Sequence, residues 1–184
     1  MLKKHALDPI KLIWLFAGSL IINTGVSFIW PLTTIYIHNY LHETLTVAGI
    51  VLFINSAFTM VGNAVGGLLF DKWHPYQTLL TGVSISTLST FLLVSFHGWP
   101  AYPILLITLG LGNGIVVTGL NSIATLIQSR NASYVFNVLY FTQNLGLVFG
   151  SLMVGFILPF GITYIFLLAF IMFAFLSIVI FFEY

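Results

Sequence analysis

The stretch Gly66–Gln77 reads GGLLFDKWHPYQ, and at its centre Asp71 and Lys72 set an acid beside a base between two long uncharged runs. Charge is scarce everywhere else: 5% of the 184 residues are Asp, Glu, Lys or Arg, 59% are hydrophobic, and the mean hydropathy is +1.09. A soluble domain carries about a quarter charged residues, so this composition excludes one. Residues 12–42, 44–70, 73–129 and 131–182 contain no Asp, Glu, Lys or Arg. A helix needs about 20 apolar residues to cross a hydrocarbon core roughly 30 Å thick. The runs of 31 and 27 residues each accommodate one crossing, and those of 57 and 52 accommodate two if broken in the middle.

The breaks are present. Phe96–Pro103 (FHGWPAYP) interrupts the third run and Leu158–Gly161 (LPFG) the fourth, both with the Pro and Gly that mark turns. The sequence therefore predicts a single all-α polytopic membrane domain over residues 1–184, with spans near 12–37, 45–70, 78–96, 102–128, 134–157 and 162–182. Helices satisfy their own backbone hydrogen bonds in lipid, and the short alternating segments of a transmembrane barrel are missing. The apolar run after Lys3 and Lys4 is too long for a secretory leader and is expected to remain as the first span. Lys3, Lys4, Lys11, Lys72 and Arg130 all fall on one side of a six-span arrangement, which predicts cytoplasmic termini and a cell-membrane location. A net charge of +1 gives no reason to expect nucleic acid, and the absence of cysteine removes thiol and disulfide chemistry. No cofactor or metal is called for. His38 and His42 with Glu43 have a spacing that suits a metal, but read better as a polar helix end.

Polar residues within the spans fall into stripes. Asn23, Ser27 and Thr34 recur at helical spacing in the first span, Asn55, Thr59 and Asn63 in the second, Gly114, Thr118, Asn121, Thr125 and Gln128 in the fourth, and Asn137, Tyr140, Asn144 and Ser151 in the fifth. A buried amide without a partner costs free energy, so such stripes face other helices or water and not lipid. Either they are interhelical glue, or they line a shared aqueous cavity. Stripes on four helices together favour the cavity, with Trp30 as an aromatic wall and the third and sixth spans as outer helices. Gly62–Gly66, Gly110–Gly114 and Gly146–Gly150 are Gly-x-x-x-Gly pairs, the spacing that lets helices approach closely.

Asp71 stands at the C-terminal, negative end of its helix, a poor local position for an acid that suggests a partner elsewhere. The candidates are Lys72, Arg130 on the neighbouring loop, or the positive N-terminal end of another helix. The alternative is a solvated carboxylate marking the membrane boundary. Gly67-Leu68-Leu69-Phe70-Asp71-Lys72 resembles the loop 2–3 signature of the major facilitator superfamily, Gly-x-Leu-Ala-Asp-Arg-x-Gly-Arg-Arg, with His74, Pro75 and Tyr76 where that signature has Gly-Arg-Arg. Asn144–Gly155, through Gly146, Gly150 and Gly155, resembles the antiporter motif of the family's drug–proton exchangers, with Ser151 in place of its proline. Asn23–Pro31 and Tyr36 also look like the first helix of that branch. The resemblance implies half of a twelve-helix fold, built as two inverted three-helix repeats. It implies a cytoplasmic latch at Gly67, Asp71 and Lys72, to which the nearby Arg130 is a candidate partner, and helix packing at Gly146, Gly150 and Gly155.

The expected function is the N-terminal half of a secondary transporter that exports a small lipophilic compound by alternating access. The partners would be the bilayer, the substrate, and either a C-terminal six-helix half or a second copy of the chain. Truncation of a longer protein is the expected reason for the missing half. No Asp, Glu, Lys, Arg or His lies inside a predicted span, so a proton-coupling group is expected in the missing half, or the driving ion is not a proton. A non-catalytic membrane subunit is the alternative. An intramembrane serine protease is a weaker one, because all five histidines fall in or near loops.

Overall fold

In the computed structural model, which describes residues 12–127 and 129–183, the chain is built of helices and short turns. Lys3, Lys4 and Lys11, with their charge asymmetry, and Gln128, the end of the fourth stripe, lie outside the described residues. The helices are α1 (Leu12–Ser27), α2 (Thr33–Ile35, continued by a π-turn at Tyr36–Tyr40), α3 (Leu45–Lys72), α4 (Pro75–Ser95), α5 (Ala101–Leu126), α6 (Ala132–Ile157, extended by a 3-10 turn at Leu158–Phe160) and α7 (Ile162–Glu183). Among the described residues five helices, α3 to α7, are long and apolar enough to cross a membrane.

The ends of these helices have local causes. The Thr44 side chain accepts a hydrogen bond from the Val47 N–H at 3.3 Å and caps α3, and Asn131 Oδ1 caps α6 by accepting from Ser133 N–H at 3.0 Å. Pro75 opens α4 in the first turn, where its missing N–H costs nothing. Gly161 sits at φ 125°, a backbone conformation open to glycine, and reverses the chain into α7.

The first span departs from expectation. A continuous helix over 12–37 is replaced by α1, an irregular turn at 28–32, and α2. Pro31 is the cause: it has no N–H to give the Ser27 carbonyl, and its ring crowds that carbonyl. The backbone tightens around it, with Ile29 N–H donating to Val26 O at 3.1 Å and Thr33 N–H to Trp30 O at 3.3 Å. The helical phase on the far side of the break is therefore not the phase of α1.

Helix packing follows the small residues. α3 lies along α5, α5 along α4, α4 along α7, and α1 along both α6 and α7. A Cβ added at Gly110 would stand 2.5 Å from Asn55 Nδ2, and one at Gly66 2.9 Å from the Ile115 Cα. Gly62 and Gly114 are closed off by the Leu111 and Thr59 carbonyls in the same seam. On its other side α5 meets α4 through Gly112, where a Cβ would lie 2.8 Å from the Gly82 carbonyl. Gly146 and Gly150 form the matching seam with α1, 2.7 Å and 2.6 Å from the Leu20 and Thr24 carbonyls by the same measure. Gly155 has nothing within 4 Å, because five residues beyond Gly150 is about 140° around the helix; it lies off the seam that the resemblance implied it would share.

The helices expected to be outermost, α4 and α7, are more buried within the chain than α3 and α6. α3 and α6 turn apolar side chains outward, among them Phe53, Met60, Phe141 and Phe156. Large residues in the glycine seam and at the open glycine should behave oppositely. Gly62→Val should lower the thermal unfolding midpoint in detergent by the equivalent of about 1–3 kcal/mol, the cost of overpacking a close contact. Gly155→Ala should leave it unchanged or slightly raised, as alanine is the better helix former.

Candidate functional site

Between the α3–α5 pair and the α1–α6 pair lies a pocket of about 420 Å³, within the roughly 300–1,000 Å³ range of small-molecule sites. α1 and the turn after it supply Val26, Ile29 and Trp30; α3 supplies Asn55, Ser56 and Thr59. α5 supplies Leu106, Leu109, Gly110 and Asn113, and α6 supplies Leu147. None of these side chains ionises. The break at Pro31 places Trp30 here, 52% exposed, as a flat aromatic wall.

The stripe residues divide by what their polar atoms do. Asn55 is buried and donates from Nδ2 to the Leu106 carbonyl at 2.6 Å, tying α3 to α5 at the pocket wall. Thr59 Oγ1 donates back to the Asn55 carbonyl at 2.9 Å. Asn23 and Ser27 lie in the seam with α6, where Gly146 and Gly150 meet their Cβ atoms, and they bond to the Ser19 and Asn23 carbonyls of their own helix. Neither is among the residues lining the pocket. Thr118 Oγ1 donates to Asn63 Oδ1 at 3.1 Å across the α3–α5 contact, outside the pocket lining. Asn121 is half-buried about two turns beyond Asn113. Asn137, Tyr140 and Asn144 are exposed on the face of α6 that carries Leu147, and Asn144 Nδ2 bonds back to the Tyr140 carbonyl at 2.7 Å.

Thr34 is half-buried, and its neighbour Thr33 carries the interhelical bond. Thr33 Oγ1 lies 2.9 Å from Tyr102 Oη, and Tyr36 Oη donates to the His97 carbonyl at 2.8 Å. Tyr36 meets Tyr102 and Phe166 edge to face, and those two rings pack tilted on each other, fastening the α2 segment to the start of α5 and to α7. The stripe drawn from Asn23 to Thr34 assumes one unbroken helix, and the break at Pro31 shifts the phase. Asn113 and Ser56 line the pocket outside the stripes; the signal for Asn113 was an amide set between glycines in Leu111–Gly114 (LGNG).

At the other end of α3, Asp71 and Lys72 are exposed, and Gly67 is half-buried in ordinary contact with Thr118 Cγ2 at 4.0 Å. Arg130 stands over the Tyr134 ring, 5.9 Å from its centroid. Among the described residues no ion pair engages Asp71, Lys72 or Arg130. Likewise no group of three or more His, Asp or Glu gathers as a metal site among them, and His38 Nδ1–H donates to the Glu43 carbonyl at 2.9 Å.

Such a bundle, all helix, of membrane-crossing length and with a neutral solute-sized pocket between helices, is a multi-pass membrane protein of the transporter type. The Major Facilitator Superfamily model matches residues 15–184, and the chain belongs to that family. It is 42% identical over 153 residues to an uncharacterized MFS-type transporter, YttB, of Bacillus subtilis (strain 168). That alignment takes in 83% of this chain and 38% of the relative, so the chain spans well under half of the relative's length. The family is one of transporters, and the chain is not an enzyme.

The two kinds of asparagine should separate on substitution. Asn55→Ala, which removes a buried interhelical bond, should cost about 1 kcal/mol of stability in reversible unfolding in mixed micelles. Asn144→Ala, whose amide serves its own exposed helix, should fall within about 0.5 kcal/mol of the parent.

Proposed function

We propose that the chain is the N-terminal six-span half of a secondary transporter that exports a small lipophilic compound, with the pocket between α1, α3, α5 and α6 as its share of the substrate path. The observation that carries this reading is the pocket itself, solute-sized, without an ionisable group, and walled by Trp30 and aliphatic side chains. Substrate sites of secondary transporters lie between repeats near the midplane. The packing supports two inverted repeats, one made of the first segment with α3 and α4, the other of α5, α6 and α7. α3 on α5 corresponds to α6 on α1, α4 on α5 to α7 on α1, and α4 packs on its own counterpart α7.

The remaining parts follow from this reading. Lys72 and Arg130 fall at one end of the bundle by alternation of helix direction, and that end is cytoplasmic. Asp71, exposed and without an ion pair among the described residues, is free to latch against a second six-helix bundle, with Gly67 and Lys72 beside it and Arg130 on the adjacent loop. The outward apolar faces of α3 and α6 suit that same bundle or a second copy of the chain. The drug–proton branch is supported by the glycine seam at Gly146 and Gly150. Coupling would then use a group outside this pocket.

The chain has no native cysteine, so single cysteines report cleanly. In membranes, Ser56→Cys and Asn113→Cys should react with a water-soluble maleimide, while Ile171→Cys, on the exposed apolar surface of α7, should not. Failure of both pocket positions to react, or equal reaction at all three, would overturn the proposal.

A further inference from the structure

We propose that Asn113 is the residue by which the pocket selects its solute, and that the solute is a neutral, mainly apolar molecule bearing a carbonyl oxygen. The inference rests on the pocket being the substrate site, as argued above, and adds its chemistry. The polar side chains of the facing α3 wall are already engaged within the protein, the two hydroxyls through their single hydrogen and the buried Asn55 through one of its two amide hydrogens. Asn55 donates to the Leu106 carbonyl at 2.6 Å, Ser56 Oγ to the Leu52 carbonyl at 2.9 Å, and Thr59 Oγ1 to the Asn55 carbonyl at 2.9 Å. Asn113 lines the same space, half-buried, with no hydrogen-bond partner among the described residues. Once a solute displaces water from the pocket, this amide carries an unmet cost unless the solute pairs with it.

Its position is fixed from both sides. Gly112 is pressed on α4, where a Cβ would meet Ser86 Oγ at 2.5 Å, and Gly114 on α3, where one would meet Asn63 N at 2.8 Å. The backbone of α5 is thus clamped on either side of residue 113, and its side chain is presented from a rigid element, as a selective site requires. With no ionisable lining, a charged solute would lose water without gaining a counter-ion, which leaves neutral solutes. The Asn113 Nδ2 hydrogens call for an acceptor on the solute, and Trp30 lines the same pocket. Trp30 also offers a flat face for a ring.

The test uses benzophenone, a neutral diaryl ketone that inserts into nearby C–H bonds on near-ultraviolet irradiation, on the chain in lipid nanodiscs. Adducts on pocket residues such as Leu109 and Leu147 are mapped by peptide mass spectrometry and competed with 9-fluorenone or with fluorene, its carbonyl-free counterpart. Fluorenone should displace pocket labelling at about three- to tenfold lower concentration than fluorene, the worth of one hydrogen bond. The preference should vanish in Asn113→Leu, or in Asn113→Ala should the leucine variant fail to fold. Equal competition in the parent chain, or an unchanged preference in the variant, overturns the role of Asn113 while pocket labelling stands. Absence of any competable label in the pocket overturns the substrate-site reading and this inference with it.

Discussion

The structure depends on how closely two backbones can lie. α3 and α5 touch main chain to main chain along Gly62, Gly66, Gly110 and Gly114, with no room for a side chain at any of the four. Lipid tails give helices no hydrophobic incentive to associate, so tight packing of this kind supplies dispersion contact that larger residues would forfeit. The same proximity brings the Asn55 amide within reach of the Leu106 carbonyl, which would be out of range across a leucine-lined interface. With α4 held against the opposite side of α5, the pocket wall on this flank becomes a fixed surface.

Polarity inside the bundle is mostly engaged within single helices. Ser27, Ser56, Thr59, Thr81, Ser86 and Thr90 each hand their hydroxyl hydrogen to a carbonyl one turn back in their own helix. That habit makes serine and threonine inexpensive in a membrane helix and nearly silent as recognition groups. Asparagine cannot be silenced as completely, since its amide has two hydrogens and two lone pairs to place. The few asparagines near the pocket therefore carry more of its chemical character than the more numerous hydroxyls.

Much of the architecture was legible because charge and Pro/Gly punctuation in a lipid-crossing chain report directly on where helices begin and end. Asp71-Lys72, Phe96–Pro103 and Leu158–Gly161 each fall at a helix boundary or in the link beyond it. The glycine pairs likewise pointed to close contacts, since a missing side chain in a helix can serve little else there. What periodicity could not supply was phase. Pro31 interrupts the first segment, so a stripe carried from Asn23 to Thr34 overlooked Thr33. Gly155 was grouped with Gly146 and Gly150 by the family resemblance alone, and helix geometry sets it off their seam. Spacing also does not say whether an amide is already engaged. Asn23, Asn55 and Asn144 share one pattern in sequence and three different situations in the fold: a helix seam, a bond across helices, and an exposed surface.

The break after Ser27 has a mechanical corollary. Below it, α1 is keyed into the glycine seam of α6; above it, Thr33 and Tyr36 are moored to Tyr102 and the carbonyl of His97. Any tilt of α6 relative to the start of α5 falls on the five residues in between. Those residues include Ile29 and Trp30, so the joint that has to bend is also a side of the chamber. Pocket width and helix angle are thereby set by one and the same piece of chain.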